Sequence, residues 1–269
     1  MSEQQTGRRA FEAGRVMSRI TAVLAANGGK FTVLALLLYG APQLALGFVQ
    51  LEVLRTGLAG ATGSSEMTAY FNTMWFMLAS LVVSLVLQIL LQAATVHVAV
   101  EDLKGRRADV ASGLMVTLRN LLPLAVLSLL QFFGVLLGFF LLVVPGVILS
   151  LAWSVTVPAL IIERTGIFGA FTRSADLTRN HRGAILTIAV TFIIATLLLT
   201  ALINGVGAAV LRELVPAGNA LTWSTMVMDS LLNCITAVVG AVGVAAIYFE
   251  LRWAQSAPEE HQELAAIFD

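Results

Sequence analysis

The run LLPLAVLSLLQFFGVLLGFFLLVVPGVILSLAWSVTVPALII extends from Leu121 to Ile162 without one Lys, Arg, Asp or Glu. A helix that crosses a bilayer needs about 20 mostly apolar residues. The run is therefore long enough to cross twice, and how it is read decides the fold. Pro145-Gly146, near its middle, is the strongest turn signal in it. We read the run as a hairpin of two spans, with Pro145-Gly146 as the outer turn.

Working outward, four more apolar segments reach spanning length. Phe31–Leu51 is interrupted by Gly40 and Pro42, and Met74–Val100 carries Gln88, Gln92 and His97. Ala184–Val210 and Met226–Tyr248 complete the set, the last ending at Tyr248 or continuing to Trp253. Composition agrees with six spans. Of the 269 residues, 58% are hydrophobic and 12% are charged, and mean hydropathy is +0.88. A soluble domain carries about 25% charged residues, and a single core could not hide this much apolar surface. Net charge is zero, so bulk charge gives no sign of a nucleic-acid partner.

Six spans place Arg8, Arg9, Arg15, Arg19, Lys30, Lys104, Arg106, Arg107, Arg119, Arg164, Arg173, Arg179, Arg182 and Arg252 on one side. Only Arg55 and Arg212 fall on the other. By the positive-inside rule both termini are cytoplasmic. A single crossing between Leu121 and Ile162 would break this bias. Trp75 and Trp223 then lie at the outer interface and Trp253 at the inner one. Trp153 is too deep for an interfacial belt and is expected to pack inside the bundle.

Three basic segments resemble one another: RITAVLAANGGKFTVLALLL from Arg19, GLMVTLRNLLPLAVLSLL from Gly113 and RSADLTRNHRGAILTIAV from Arg173. In each, a helix-forming stretch reaches an Asn (Asn27, Asn120, Asn180) and a span follows. Asn tolerates the left-handed conformation that ends helices. The expected fold is thus an all-α integral membrane protein with six transmembrane helices, built as three units of interfacial amphipathic helix plus transmembrane hairpin. Residues 1–30 form a cytoplasmic segment with the first interfacial helix, and 31–253 form the membrane domain. The other interfacial helices lie near 109–120 and 166–181, and 254–269 is a cytoplasmic tail. In the third helix, Ile167, Ala170, Phe171, Ser174, Leu177 and Thr178 make a mostly apolar stripe. It suits an anionic inner leaflet, or alternatively the protein's own spans.

Signals for chemistry are sparse. The one cysteine, Cys234, excludes an internal disulfide. His97, His181 and His261 are dispersed, and no metal, nucleotide or nucleophile-elbow motif occurs. Arg8-Arg9-x-Phe11 looks like part of a twin-arginine export signal, but the uninterrupted apolar run starts only near Phe31, so cleavage is not expected. Pro42, Gln88, Gln92 and Asn233 could line a polar path. Asp229 and Glu250 lie near the ends of span six, where each can reach an interface. Glu163 ends span four and can pair with Arg173 or Arg182. In the tail, Leu264, Ile267 and Phe268 fall at helical spacing and could dock on the basic helices or on a protein partner.

VPGVILSLAWSVTVPALIIE followed by GAFTRSADLTRN resembles bacterial six-helix membrane proteins related to the membrane domain of glycerophosphoryl diester phosphodiesterases. The likeness is carried by Pro145-Gly146, Trp153, Pro158, Glu163, Ala170, Arg173, Ser174 and Leu177, and by the tail YFELRWAQ…ELAAIFD. It covers about 140–186 and the tail; elsewhere only the hydropathy pattern is shared. The resemblance implies a bacterial inner-membrane protein. It does not imply phosphodiesterase activity, because in the fused enzymes catalysis belongs to a separate soluble barrel.

The sequence thus leads us to expect a non-catalytic protein without cofactors, acting in membrane organisation, lipid interaction or as an accessory subunit. Its expected partners are anionic membrane lipids, held by Lys104, Arg106, Arg107, Arg173, Arg179 and Arg182. Pro145, Gly146, Trp153, Glu163 and Arg173 are expected to form a structural elbow. The alternative is a transporter or exporter of a small amphipathic molecule; a lipid-modifying enzyme is the third reading. Oligomeric state leaves no sequence signal.

Overall fold

A computed structural model describes residues 12–59, 66–106, 109–207, 209–210, 213 and 219–268. The described residues form helices joined by turns. They are α1 (Ala13–Ala35), α2 (Ala41–Ala59), α3 (Glu66–Leu103), α4 (Val110–Arg119), α5 (Leu121–Leu141), α6 (Val143–Ala152), α7 (Thr156–Glu163), α8 (Gly166–Thr178), α9 (Arg182–Leu202) and α10 (Asn219–Phe268). Six stretches are long and apolar enough to cross a membrane: Gly14–Arg55, Met67–Leu103, Leu121–Leu141, Val143–Glu163, Arg182–Gly207 and Trp223–Gln255. Phe140, Leu141, Leu142, Leu197 and Leu198 are among many large apolar side chains left exposed. Such contiguous apolar surface is what hydrocarbon solvates and water does not.

α3 and α10 are the central helices. They pack on each other, α1 packs on both, and the core gathers Phe31, Leu34, Leu91, Val98, Tyr248 and Leu251. Small residues on α3 and α10 (Ala93, Ala94, Ala99, Ala241, Ala245, Ala246) are buried, which lets the helices approach closely. A second cluster joins Ile89, Leu90 and Ala93 of α3 to Leu124 and Leu127 of α5 and to Val157, Leu160 and Ile161 of α7.

The first basic segment departs from its expected form. α1 runs straight through Asn27 and on into the span, so no interfacial helix separates from it. Asn27 does not end the helix because its amide donates back to the Val23 carbonyl (3.3 Å), while its oxygen accepts from Lys30 Nζ (2.9 Å). The break comes later, as a π-turn over Leu36–Gly40. Pro42 removes one backbone donor, and the π-turn absorbs the misfit by bonding the Ala41 N–H to the Leu36 carbonyl. In the other two segments a short helix, α4 or α8, does end near Asn120 or Asn180 before the next span.

The Leu121–Ile162 hairpin turns three residues earlier than expected. Leu142 is the extended residue (φ −165°, ψ 150°), and Pro145-Gly146 lies inside the first turn of α6. Pro costs little there, because first-turn N–H groups have no partner within the helix. Gly146 serves close packing. A Cβ at that position would lie 2.5 Å from the Phe139 ring, and one at Gly138 3.0 Å from Gly146 Cα.

The returning limb is not one helix. It breaks at Trp153–Val155 into α6 and α7. α8 lies across this break, and its stripe (Ala170, Ser174, Leu177, Thr178) is buried against the protein rather than presented to a leaflet. Finally, α10 runs as one helix through 254 to Phe268.

Candidate functional site

Three polar constellations lie on the basic connections and the helix ends that flank them. The first closes the break in the fourth span. A helix interrupted inside an apolar bundle exposes backbone groups that must find partners. Ser174 Oγ accepts from the Val155 N–H (3.2 Å) and donates to the Ala152 carbonyl (2.7 Å). Gln131 donates to the Trp153 carbonyl (3.3 Å) and accepts from Thr156 Oγ1 (2.8 Å). The Trp153 ring stands edge-on to Phe171, with centroids 4.7 Å apart, and covers Gly134. A Cβ at Gly134 would lie 2.5 Å from that ring. Trp153 is half-buried, packs on Phe171 and Gly134, and marks a break the sequence did not announce.

The second constellation consists of two carboxylate clamps, Glu163 of α7 and Glu250 of α10, that tie other helices to α10. Glu163 pairs with Arg173 (Nε–Oε2 2.7 Å), not Arg182, and accepts from Tyr248 Oη (2.9 Å). Arg173 also donates to Gln255 (3.2 Å), so α7, α8 and α10 are tied at one point. On the other face, Glu250 is 0% exposed. It meets Arg15 Nε at 2.8 Å and Arg19 Nη2 at 3.2 Å, both on α1. The guanidinium groups of Arg15 and Arg19 also lie over Trp253 and Phe249, at 5.1 and 4.7 Å. Each arginine thus meets both a charge and an aromatic face.

The third is a cavity of about 870 Å3 between the end of α3, the α4–α5 junction and the α7–α8 turn. Its polar side holds His97, Glu101, Lys104, Arg119, Asn120 and Arg164. Its apolar side is Val116, Pro123, Leu160, Ile161, Ile162 and Ile167. Glu101 is engaged by Lys104 (2.8 Å) and, more loosely, by Arg106 (3.7 Å). Neither Arg119 nor Arg164 pairs with a carboxylate among the described residues. Arg164 has φ 53°, the left-handed region, at the end of α7.

The residues singled out from sequence fall unevenly. Of the six expected headgroup contacts, Arg173 is held by Glu163 and the exposed Lys104 by Glu101, which Arg106 also meets at 3.7 Å. Arg106 and Arg179 are exposed, Arg182 is half-buried, and Arg107 lies outside the described residues. The polar path is not assembled: Gln88 and Asn233 are exposed, Pro42 and Gln92 are half-buried, and none of the four lines the cavity. The side chains of Leu264, Ile267 and Phe268 in the C-terminal tail also lie outside the described residues. Ser174, Tyr248, Glu250, Arg15 and Arg19 are the polar partners whose roles sequence reasoning missed. One signal was available, because Arg15 and Arg19 stand at i, i+4 and so share a helix face.

Among the described residues, no group of three or more His, Cys, Asp or Glu side chains could hold a metal ion. The fold and these constellations define the class as an all-helical protein with six helices long and apolar enough to cross a membrane. Comparison with known proteins adds no relative: no protein-family model, no curated protein and no solved structure matches the chain. The likeness to the phosphodiesterase membrane domain therefore rests on the quoted residues alone.

Proposed function

We propose that the protein is a non-catalytic, multi-pass protein of a bacterial inner membrane, with both termini cytoplasmic, that interacts with anionic lipids and organises the membrane around it. The observation that carries this reading is the crowding of cations onto one set of connections between six apolar helices. In an inner membrane that end faces anionic headgroups, and each Lys or Arg near such a surface contributes about 1 kcal/mol of attraction. The resemblance over 140–186 points to the same compartment.

The contacts narrow which cations do this. Arg173 is held by Glu163 and Lys104 by Glu101, which Arg106 meets only at 3.7 Å, so we assign the lipid belt to Arg106, Arg107, Arg179 and Arg182. Transport is the weaker reading, because two of its four path residues, Gln88 and Asn233, face outward.

Reversing Arg106, Arg179 and Arg182 to Glu together should lower the anionic lipid co-purified per protein by several-fold, with neutral lipid unchanged. Lipid extraction and mass spectrometry of the detergent-purified protein read this out. An unchanged anionic fraction would remove the proposal.

A further inference from the structure

The cavity between α3, α4–α5 and α7–α8 has a composition that the surface belt does not. Lys104, Arg119 and Arg164 face it, against the one carboxylate of Glu101, so two positive charges are left unbalanced. Glu101 already accepts from Lys104, which leaves Arg119 and Arg164 as the two lining guanidinium groups without a carboxylate partner among the described residues. The cavity is also lined by aliphatic side chains, Val116, Leu160, Ile161 and Ile167. Its volume, about 870 Å3, falls in the range of pockets that hold whole small ligands, roughly 300–1,000 Å3.

Helix ends do not supply the excess charge. The N-termini of α5 and α8 border the cavity, but so do the C-termini of α4 and α7, and their partial charges offset. Complementing a C-terminal dipole would itself explain an arginine at 119 and at 164. It does not account for both residues lining one cavity. Arg164 adds a second mark. It holds a left-handed position at which glycine is unstrained, so the fold keeps a guanidinium there against backbone preference.

We propose that this cavity binds one amphiphile bearing a phosphate monoester, with the phosphate between Arg119 and Arg164 and the acyl part against the α7 wall. A monoester carries about −1.5 to −2 charge near neutral pH and so matches the two unbalanced cations, whereas a diester headgroup carries one charge. Planar guanidinium groups pair with phosphate oxygens two at a time. The inference rests on the lipid-interacting reading above but concerns a single bound molecule rather than the surrounding leaflet.

The test is binding to the detergent-purified full chain by native mass spectrometry and competition. The probes are dioctanoyl phosphatidate, dioctanoyl phosphatidylglycerol, glycerol 3-phosphate and inorganic phosphate. Phosphatidate should bind at least about tenfold more tightly than the other three, and Arg119→Gln or Arg164→Ala should each weaken it about tenfold, the loss of one charge-assisted contact. Arg164→Gly should weaken it equally while Tm stays level or rises, which separates ligand loss from misfolding. Equal binding of phosphatidylglycerol would overturn the monoester. Equal binding of glycerol 3-phosphate or phosphate would overturn the amphiphile in favour of a soluble phosphate. Undiminished phosphatidate binding in an Arg119→Gln, Arg164→Gly double variant would overturn the location. The belt variant should keep this binding, so failure of the belt and failure of the cavity read out separately.

Discussion

Glu250 shows what a single residue decides. A carboxylate excluded from water is tolerated only when it is paired and hydrogen-bonded. Here two arginines from the other end of the chain supply the pairing. The two sides of the clamp differ, because Arg15 and Arg19 keep 34% and 23% of their side-chain surface while Glu250 keeps none. Removing Glu250 leaves two cations that can turn to water; removing both arginines leaves a stranded buried carboxylate. We therefore expect Glu250→Gln to cost about 1–2 kcal/mol and the Arg15→Ala, Arg19→Ala pair about 3–5 kcal/mol. Ranked thermal melts in detergent check the order, and equal losses would contradict it. None of this was legible at Glu250 itself. Its partners stand more than 230 positions away, and proximity of that kind is set by how α1 packs on α10, not by local pattern.

At the scale of elements, some boundaries were legible and others were not, for physical reasons. The spans could be read because about 20 apolar residues without charge have few alternatives. The hairpin in Leu121–Ile162 was legible too, but its turn was misplaced, because Pro is as comfortable in the first turn of a helix as in a loop. Asn27 misled for a related reason: an Asn side chain can end a helix or bond back to its own i−4 carbonyl, and the sequence does not choose. The break at Trp153 was invisible because its stability lives in tertiary partners. Ser174 and Gln131, on α8 and α5, satisfy what the break exposes. We predict that Ser174→Ala, which strands a buried N–H and a carbonyl, costs about 2–3 kcal/mol. Thr172→Ala, on the exposed face of the same helix, should cost under about 0.5 kcal/mol. Similar losses for the two would mean that α8 is not what holds the break.

For the whole molecule, the contacts divide the basic residues into two populations with different work. Arg15, Arg19 and Arg173 hold helices together through buried or half-buried carboxylates. Arg179 and Arg182, with Arg119 and Arg164 at the cavity, meet no carboxylate among the described residues, and Arg106 meets Glu101 only at 3.7 Å. From sequence alone the two groups look the same, since both are arginines beside apolar spans. The site was thus legible as a charged end, and illegible as a set of roles. That division has meaning only if the charged connections share one side of a bilayer. Single cysteines placed in a Cys234→Ala background test this directly. Asp109→Cys and Asp176→Cys should react with a membrane-impermeant maleimide only in inverted vesicles. Met67→Cys, at the start of α3, and Leu142→Cys, at the hairpin turn, should react only from outside. Labelling of Leu142→Cys on the same side as Asp176→Cys would contradict the account, because the Leu121–Glu163 hairpin would then not cross the membrane and return.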